Sequence, residues 1–155
     1  MLIEYCDFID RLPGLASPEE LRDLDKRAIE FGIPETMLIE NAGRAALQTL
    51  ESAFGLVKDA PIWLFMGNGN NGGDAACLAR LLKDKGALPR ILHLKPLDSY
   101  TGAAAWHLNL ALKDNVPCAQ LSAANARQIF LNILADEERM PAVKSPFVFL
   151  PADPA

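Results

Sequence analysis

Pro61-Ile62-Trp63-Leu64-Phe65-Met66-Gly67-Asn68-Gly69-Asn70-Asn71-Gly72-Gly73-Asp74 is the stretch of this 155-residue chain that decides its fold. The first six residues form a continuous apolar run, which suits a strand buried on both faces, as in a parallel sheet. Glycine then occupies positions 67, 69, 72 and 73. Glycines so placed permit positive φ and let a ligand approach bare backbone. From Asp74 to Lys85 the spacing predicts a helix, with Cys77, Leu78, Leu81 and Leu82 inward and Gly86 closing it. A strand, a glycine turn and a helix in this order form a ready frame for a phosphate or another polar ligand.

Working outward, the same alternation continues. Downstream, a strand is expected over Leu88–Leu94, a helix over Thr101–Asp114 and a strand over Val116–Leu121. Ser122 would cap a helix running to Ala135, and a polar segment, Asp136 to Ser145, leads to a last strand at Phe147–Leu150. Upstream, Ser17-Pro18-Glu19-Glu20 is a capping box with proline at the first helical position, and Gly32 is placed to stop that helix. A second helix is expected from Pro34 to Phe54, with Leu38, Ala42, Ala45, Ala46 and Ala53 on its apolar side. Strands alternating with helices predict an α/β class, with a mainly parallel, doubly wound sheet. Ligands bind such sheets beyond the carboxyl ends of the strands. That rule singles out the loops Gly67–Gly73 and Lys95–Thr101 and the residues after Leu150.

Length and charge narrow the function. A chain of 155 residues holds one domain or slightly less than one large one, taken here as a single domain over 1–155 with residues 1–16 as an extension. Fifteen basic against twenty acidic residues give a net charge of −5, which argues against a nucleic-acid partner. Cys6, Cys77 and Cys118 are odd in number and show no C-x-x-C pattern, so free thiols in a reducing cytoplasm are expected. Acidic residues near Met1 do not suit a signal peptide, and no apolar run reaches the roughly 18 residues that cross a bilayer, so no membrane role is expected. There is no G-x-S-x-G, no Walker lysine motif and no H-E-x-x-H. His93 and His107 are expected to be packing or surface histidines, and Trp63 and Trp106 core anchors. Glu40 and Asn41 interrupt an apolar helix face, either to line a site or to make a buried inter-helix bond. Arg90 and Lys95 could meet a cofactor phosphate, although solvated charges are the simpler reading.

Within the glycine stretch, Gly67-x-Gly69-x-x-Gly72 matches a dinucleotide fingerprint, yet two details speak against an ordinary nicotinamide oxidoreductase. The acid expected about 20 residues on, at the end of the second strand, is absent, because that strand ends His93-Leu94-Lys95. Asp74 also places a negative charge at the helix start, where pyrophosphate would otherwise sit. Asn70 and Asn71 offer carbonyl oxygens and N–H donors together, a set suited to hydroxyls, amides or a hard cation. Asp74 can equally be an N-cap, and the asparagines turn residues.

The segment Gly67–Asp74 resembles the signature loop of the NAD(P)H-hydrate epimerases, the YjeF N-terminal domain. Asp25-Lys26-Arg27-Ala28-Ile29, Gly32-Ile33-Pro34 and Met37-Leu38-Ile39-Glu40-Asn41-Ala42-Gly43-Arg44-Ala45 resemble that family's first two helices. Thr101-Gly102-Ala103-Ala104-Ala105 and Asn115-Val116-Pro117 form a weaker echo. The resemblance implies a three-layer α/β/α Rossmann-like fold and interconversion of the R and S epimers of NAD(P)HX, nicotinamide cofactors hydrated at C6. It implies that Asn70, Asn71, Gly72, Gly73 and Asp74 touch this dinucleotide substrate and that Asn71 helps bind a potassium ion; a homodimer is a separate expectation, which goes with a non-catalytic binding module of the same fold. Ala75 stands where that family usually has glycine. Its acid/base aspartate, in a segment Asp-Ala-x-x-Gly after a later strand, is carried onto no residue here, since Asp153 is displaced and the glycines are missing. The expectation is therefore a domain shortened at its C-terminus: either a fragment of a longer protein, keeping an epimerase's substrate-binding portion, or a shortened relative that has lost catalysis. The alternative is a non-catalytic nucleotide-binding or interaction module of the same fold.

Overall fold

A computed structural model of the chain describes residues 16–67, 69–139 and 148–149. The chain divides into two compact units between Glu35 and Thr36. In the first unit, helix α1 (Pro18–Phe31) starts as its capping box predicts. The Glu20 N–H donates to Ser17 Oγ, and the Ser17 N–H donates to the Glu20 carboxylate. Gly32 ends it in the left-handed region at φ 108°, a conformation that glycine adopts without a Cβ penalty.

The second unit is an α/β fold: α2 (Glu35–Phe54), β1 (Pro61–Met66), α3 (Asn70–Asp84), β2 (Leu88–His93), a 3₁₀ turn at Leu97–Ser99, α4 (Gly102–Lys113), β3 (Cys118–Gln120), α5 (Ala126–Arg139) and β4 (Val148–Phe149). The strands form one parallel sheet in the order β3-β2-β1-β4. β1 pairs with β2 from Pro61 opposite Leu88 to Met66 opposite His93, and with β4 at Leu64 and Phe65. The order reverses between β1 and β4, so the carboxyl end of β1 is the topological switch point where ligands of such folds bind.

Alternation along β1 builds the three layers, because successive side chains leave a strand on opposite faces. Ile62, Leu64 and Met66 join Ile91, the α3 residues Leu78 and Leu82, Leu47 of α2 and Leu108 of α4 in the main core. Trp63 and Phe65 face the other way and pack with Leu92, Ile129 and Ile133 under α5. The α/β/α arrangement expected from the sequence is thus present, with the mainly parallel sheet as its middle layer.

Several details differ from the sequence reading. The buried stripe of α2 is Ile39, Gly43, Leu47 and Leu50, whereas Ala42, Ala45 and Ala53 are exposed and Leu38 and Ala46 only half-buried. Burying a leucine or isoleucine removes far more apolar area from water than burying an alanine, so the large residues set the rotation of the helix. Trp106 is not a core anchor: it is 50% exposed, with its ring edge-on to His107. α5 begins at Ala126 rather than at Ser122. Residues 122–125 form a turn in which the Ser122 N–H donates to Asn125 Oδ1 and the Ala126 N–H to the Ser122 carbonyl. β2 and β3 stop short of Leu94 and Leu121, and α5 runs on to Arg139 through part of the expected polar segment. Of the last expected strand, Phe147 and Leu150 lie outside the described residues, as do Asp153 and nearly all of the 1–16 extension. No helix among the described residues is long and apolar enough to cross a membrane.

Candidate functional site

The largest correction falls on the glycine stretch. α3 starts at Asn70, not at Asp74, so Asn70, Asn71, Gly72, Gly73 and Asp74 form the first turn and a half of the helix. Gly69 precedes it at φ 84°, the one glycine of the stretch with a left-handed backbone among the described residues. Asp74 is consequently not the N-cap; Gly69 holds that position and has no side chain to cap with. The Gly72 N–H donates back to the Gly69 carbonyl at 3.0 Å, closing the turn onto the helix.

Steric crowding explains the two helical glycines. A Cβ on Gly72 would lie 2.4 Å from the Gly67 carbonyl oxygen, the backbone of the loop itself. A Cβ on Gly73 would lie 2.7 Å from Ile39 Cδ1 of α2 and 3.0 Å from Ala104 Cα of α4. Hence the helix start is wedged between α2, α4 and the end of β1, in a space that admits only bare backbone. Gly72 and Gly73 are buried, while Asn71 and Asp74 are half-buried on the same turns. The first helical turn thereby brings an amide and a carboxylate to the carboxyl end of β1, beside N–H groups that carry the positive end of the helix dipole.

The neighbouring strand ends close this region. Tyr100, buried just before α4, donates from its hydroxyl to the Met66 carbonyl at 3.4 Å. Burial pushes its phenol up, against a smaller lowering by a backbone hydrogen bond at Lys95. His93, at the end of β2, is buried and its Nδ1 lies 2.6 Å from the Lys95 carbonyl oxygen, which locks the turn out of the strand. Lys95 itself is exposed. The Arg90 guanidinium lies 4.9 Å from the centre of the Trp63 ring, its register partner on β1.

Behind the helix start, Glu40 resolves the ambiguity of the Glu40-Asn41 pair. Asn41 is exposed, whereas Glu40 reaches across to α3. Arg80 Nη2 donates to Glu40 Oε2 at 2.5 Å, Arg44 Nη2 to Oε1 at 2.7 Å, and the Cys77 thiol to Oε2 at 3.3 Å. Gly43 permits this approach, since a Cβ there would lie 2.7 Å from Cys77 Sγ. Partial burial pushes the Glu40 carboxyl up, but the Cys77 bond and the two guanidiniums outweigh it and leave it below the usual carboxylate range. The same clamp makes Cys77 a poor nucleophile: burial first, then the Glu40 bond and charge, push its thiol up to about 12. His107, fully buried, bonds through Nε2 to the Thr36 carbonyl at 2.9 Å and so ties α4 to the start of α2. Both histidines are therefore buried in the packing and held by backbone carbonyls, His93 by that of Lys95 and His107 by that of Thr36. Sequence reasoning left Cys77 as a core residue and missed Tyr100; a cysteine one turn beyond Asp74 and a tyrosine ahead of an alanine-rich helix were the only signals.

Residues 35–138 match the family described as YjeF-related protein N-terminus. A bifunctional NAD(P)H-hydrate repair enzyme Nnr of Salinibacter ruber is 28% identical over 135 residues, which cover 86% of this chain and 24% of that protein. An NAD(P)H-hydrate epimerase of Rhodopirellula baltica is 34% identical over 94 residues, covering 60% of this chain and 37% of that one. The chain thus spans well under half the length of these curated relatives. Among solved structures, the yeast protein ynu0 (YNL200c) superposes with a TM-score of 0.57 at 25% identity, covering 70% of this chain and 47% of that one. The matched span takes in α2 with its Glu40 clamp, the glycine wedge and the helices behind it, and on this ground the chain belongs to the YjeF-related protein N-terminus family.

Proposed function

We propose that this chain binds NAD(P)HX and serves in its epimerisation, the interconversion of the R and S forms at C6 of the nicotinamide ring. The observation that carries this reading is the Asn70-Asn71-Gly72-Gly73-Asp74 turn, wedged as bare helix start at the switch point of a parallel sheet. Relatives named NAD(P)H-hydrate epimerase in Rhodopirellula baltica and Nitrosopumilus maritimus support it. Epimerisation exchanges a hydroxyl and a proton at C6 and needs no redox partner. Asn70, Asn71 and the backbone of Gly72 and Gly73 would hold the dinucleotide, and Asp74 would accept bonds from its hydroxyls or amide. Asn71 is half-buried on the first helical turn and offers a hard amide oxygen, the donor type a potassium ion takes, so the residue suits that ion. A bound potassium ion would offset negative charge on the substrate.

In this reading residues 1–155 act as a single domain with 1–16 as its extension. Its setting is cytoplasmic, its partner is the small molecule rather than nucleic acid or membrane, and a second copy forms a homodimer. The acidic balance of the chain supports the exclusion of nucleic acid.

The test is epimerisation of purified R- and S-NADHX by the 155-residue chain, with and without potassium, beside its Asp74→Ala and Asn71→Ala variants. Acceleration above the spontaneous rate that either variant abolishes is the expected result. Neither turnover nor an NADPHX-induced rise in melting temperature, with potassium present, would sink the reading.

A further inference from the structure

We propose that Glu40, Cys77 and His107 form a binding site for a soft monovalent metal ion, with copper(I) as its representative. One donor atom from each of the three lies within 4.8 Å of the others, and the three come from three different helices, α2, α3 and α4. Cys77 and His107 are both fully buried.

The histidine supplies the observation that points to a ligand. Its Nε2 faces the Thr36 carbonyl at 2.9 Å, and a carbonyl only accepts, so Nε2 carries the proton. Nδ1 is left with its lone pair, buried and without a hydrogen-bond partner among the described residues. A buried acceptor left unsatisfied is unfavourable. A ring held through one nitrogen by a backbone carbonyl, with the other nitrogen presented as a lone pair, is the usual preparation of a metal-ligating histidine.

Donor chemistry and charge then select the ion. Thiolate and imidazole together favour copper(I) and zinc over the hard cations suited to Asn71. Around the cluster, one carboxylate already faces two guanidiniums, Arg80 at 2.5 Å and Arg44 at 2.7 Å. A monovalent ion that replaces the Cys77 proton leaves the local charge unchanged. A divalent ion would add a further positive charge beside the two arginines, Arg80 and Arg44. The exchange is balanced: the S–H bond breaks, the proton passes to solvent, a sulfur–metal bond forms, and no atom changes oxidation state. Ligand atoms sharing one ion stand roughly 3.5–4.3 Å apart, from metal–ligand lengths of about 2.3 and 2.0 Å, so small rotamer shifts suffice. Such an ion would pin α2, α3 and α4 together beneath the helix start without using any residue of the dinucleotide turn.

The test is an anaerobic titration of the full chain, carrying Cys6→Ser and Cys118→Ser, with copper(I) against a chromophoric copper(I) chelator. One ion per chain is expected, with thiolate-to-metal charge-transfer absorption. Adding Cys77→Ser or His107→Gln should weaken binding by more than roughly 100-fold, beyond the loss of an outer-shell partner. The glutamine keeps an N–H donor for the Thr36 carbonyl, so the helix junction survives, while the imidazole nitrogen is replaced by a harder amide oxygen that suits copper(I) poorly. Undiminished binding in either variant, or no binding by the parent, overturns the site. Zinc(II) binding as tight as copper(I) overturns the monovalent assignment.

Discussion

Leu64 and Phe65 are neighbours on β1, yet among the described residues they belong to cores of very different depth. Leu64 enters the face shared with α2, α3 and α4, where the strand side chains, Leu78, Leu82 and a series of alanines are sealed from water. Phe65 enters the face under α5, where Trp63, Leu92 and Ile133 are the buried members among the described residues. The deep face also carries the helix start, the glycine wedge and the Glu40 clamp. A rigid floor keeps the first-turn side chains of α3 in place, so the difference teaches that the site is built on the side of the sheet that can least deform.

Leu64→Ala tests that contrast most severely. Its side chain is fully buried and the surrounding helices cannot collapse onto the gap, so a loss of about 2–5 kcal/mol in urea unfolding is expected. Phe65→Ala should lose clearly less, and equal losses would erase the distinction between the faces. Next in size is Gly73→Ala. Ile39 can swing its Cδ1 away, but the Ala104 backbone cannot, so overpacking of roughly 1–3 kcal/mol is expected, visible as a lower melting temperature. On the shallow face, Phe130→Ala removes a ring stacked on Phe65 at 6.4 Å, and a loss of about 0.5–1.5 kcal/mol is expected. A loss at Phe130 exceeding that at Gly73 would reverse the ranking.

The smallest effect is a pH dependence of the clamp. The folded Glu40 carboxyl lies below its unfolded value of 4.5, so its contribution is present above that pH and is lost as pH falls through the lowered folded value. Melting curves of the wild type and Glu40→Gln should differ at neutral pH and converge in acid below 4.5. Partial exposure of the Glu40–Arg80 pair keeps this difference modest. A gap that persists unchanged to strongly acidic pH would remove charge from the explanation.

Much of the fold could be read residue by residue. The apolar run at Pro61–Met66 appeared as a buried strand without tertiary knowledge, because a short apolar run rich in large side chains and closed by glycines suits a strand covered on both faces. Ser17 and Glu20 announced α1 through bonds made within four residues. The α2 stripe was misread because alanine counts as apolar in a pattern but contributes little burial, while Gly43, which no apolar pattern selects, is buried to let Cys77 approach. Gly72 and Gly73 suggested a loop because glycine disfavours helices by local entropy. The missing Cβ atoms instead let the helix begin four residues early.

By itself, then, the sequence determined the order of strands and helices, the position of the polar turn after β1 and the residues it offers, since these rest on local periodicity and on motifs a few residues long. The tertiary structure alone decided which residues of that turn are helical, that Glu40 rather than Asn41 crosses to α3, and that Cys77 and His107 meet it. Those outcomes depend on close approach between α2, α3 and α4, segments tens of residues apart in the chain. Excluded volume acts at that range through packing, and no local preference encodes it.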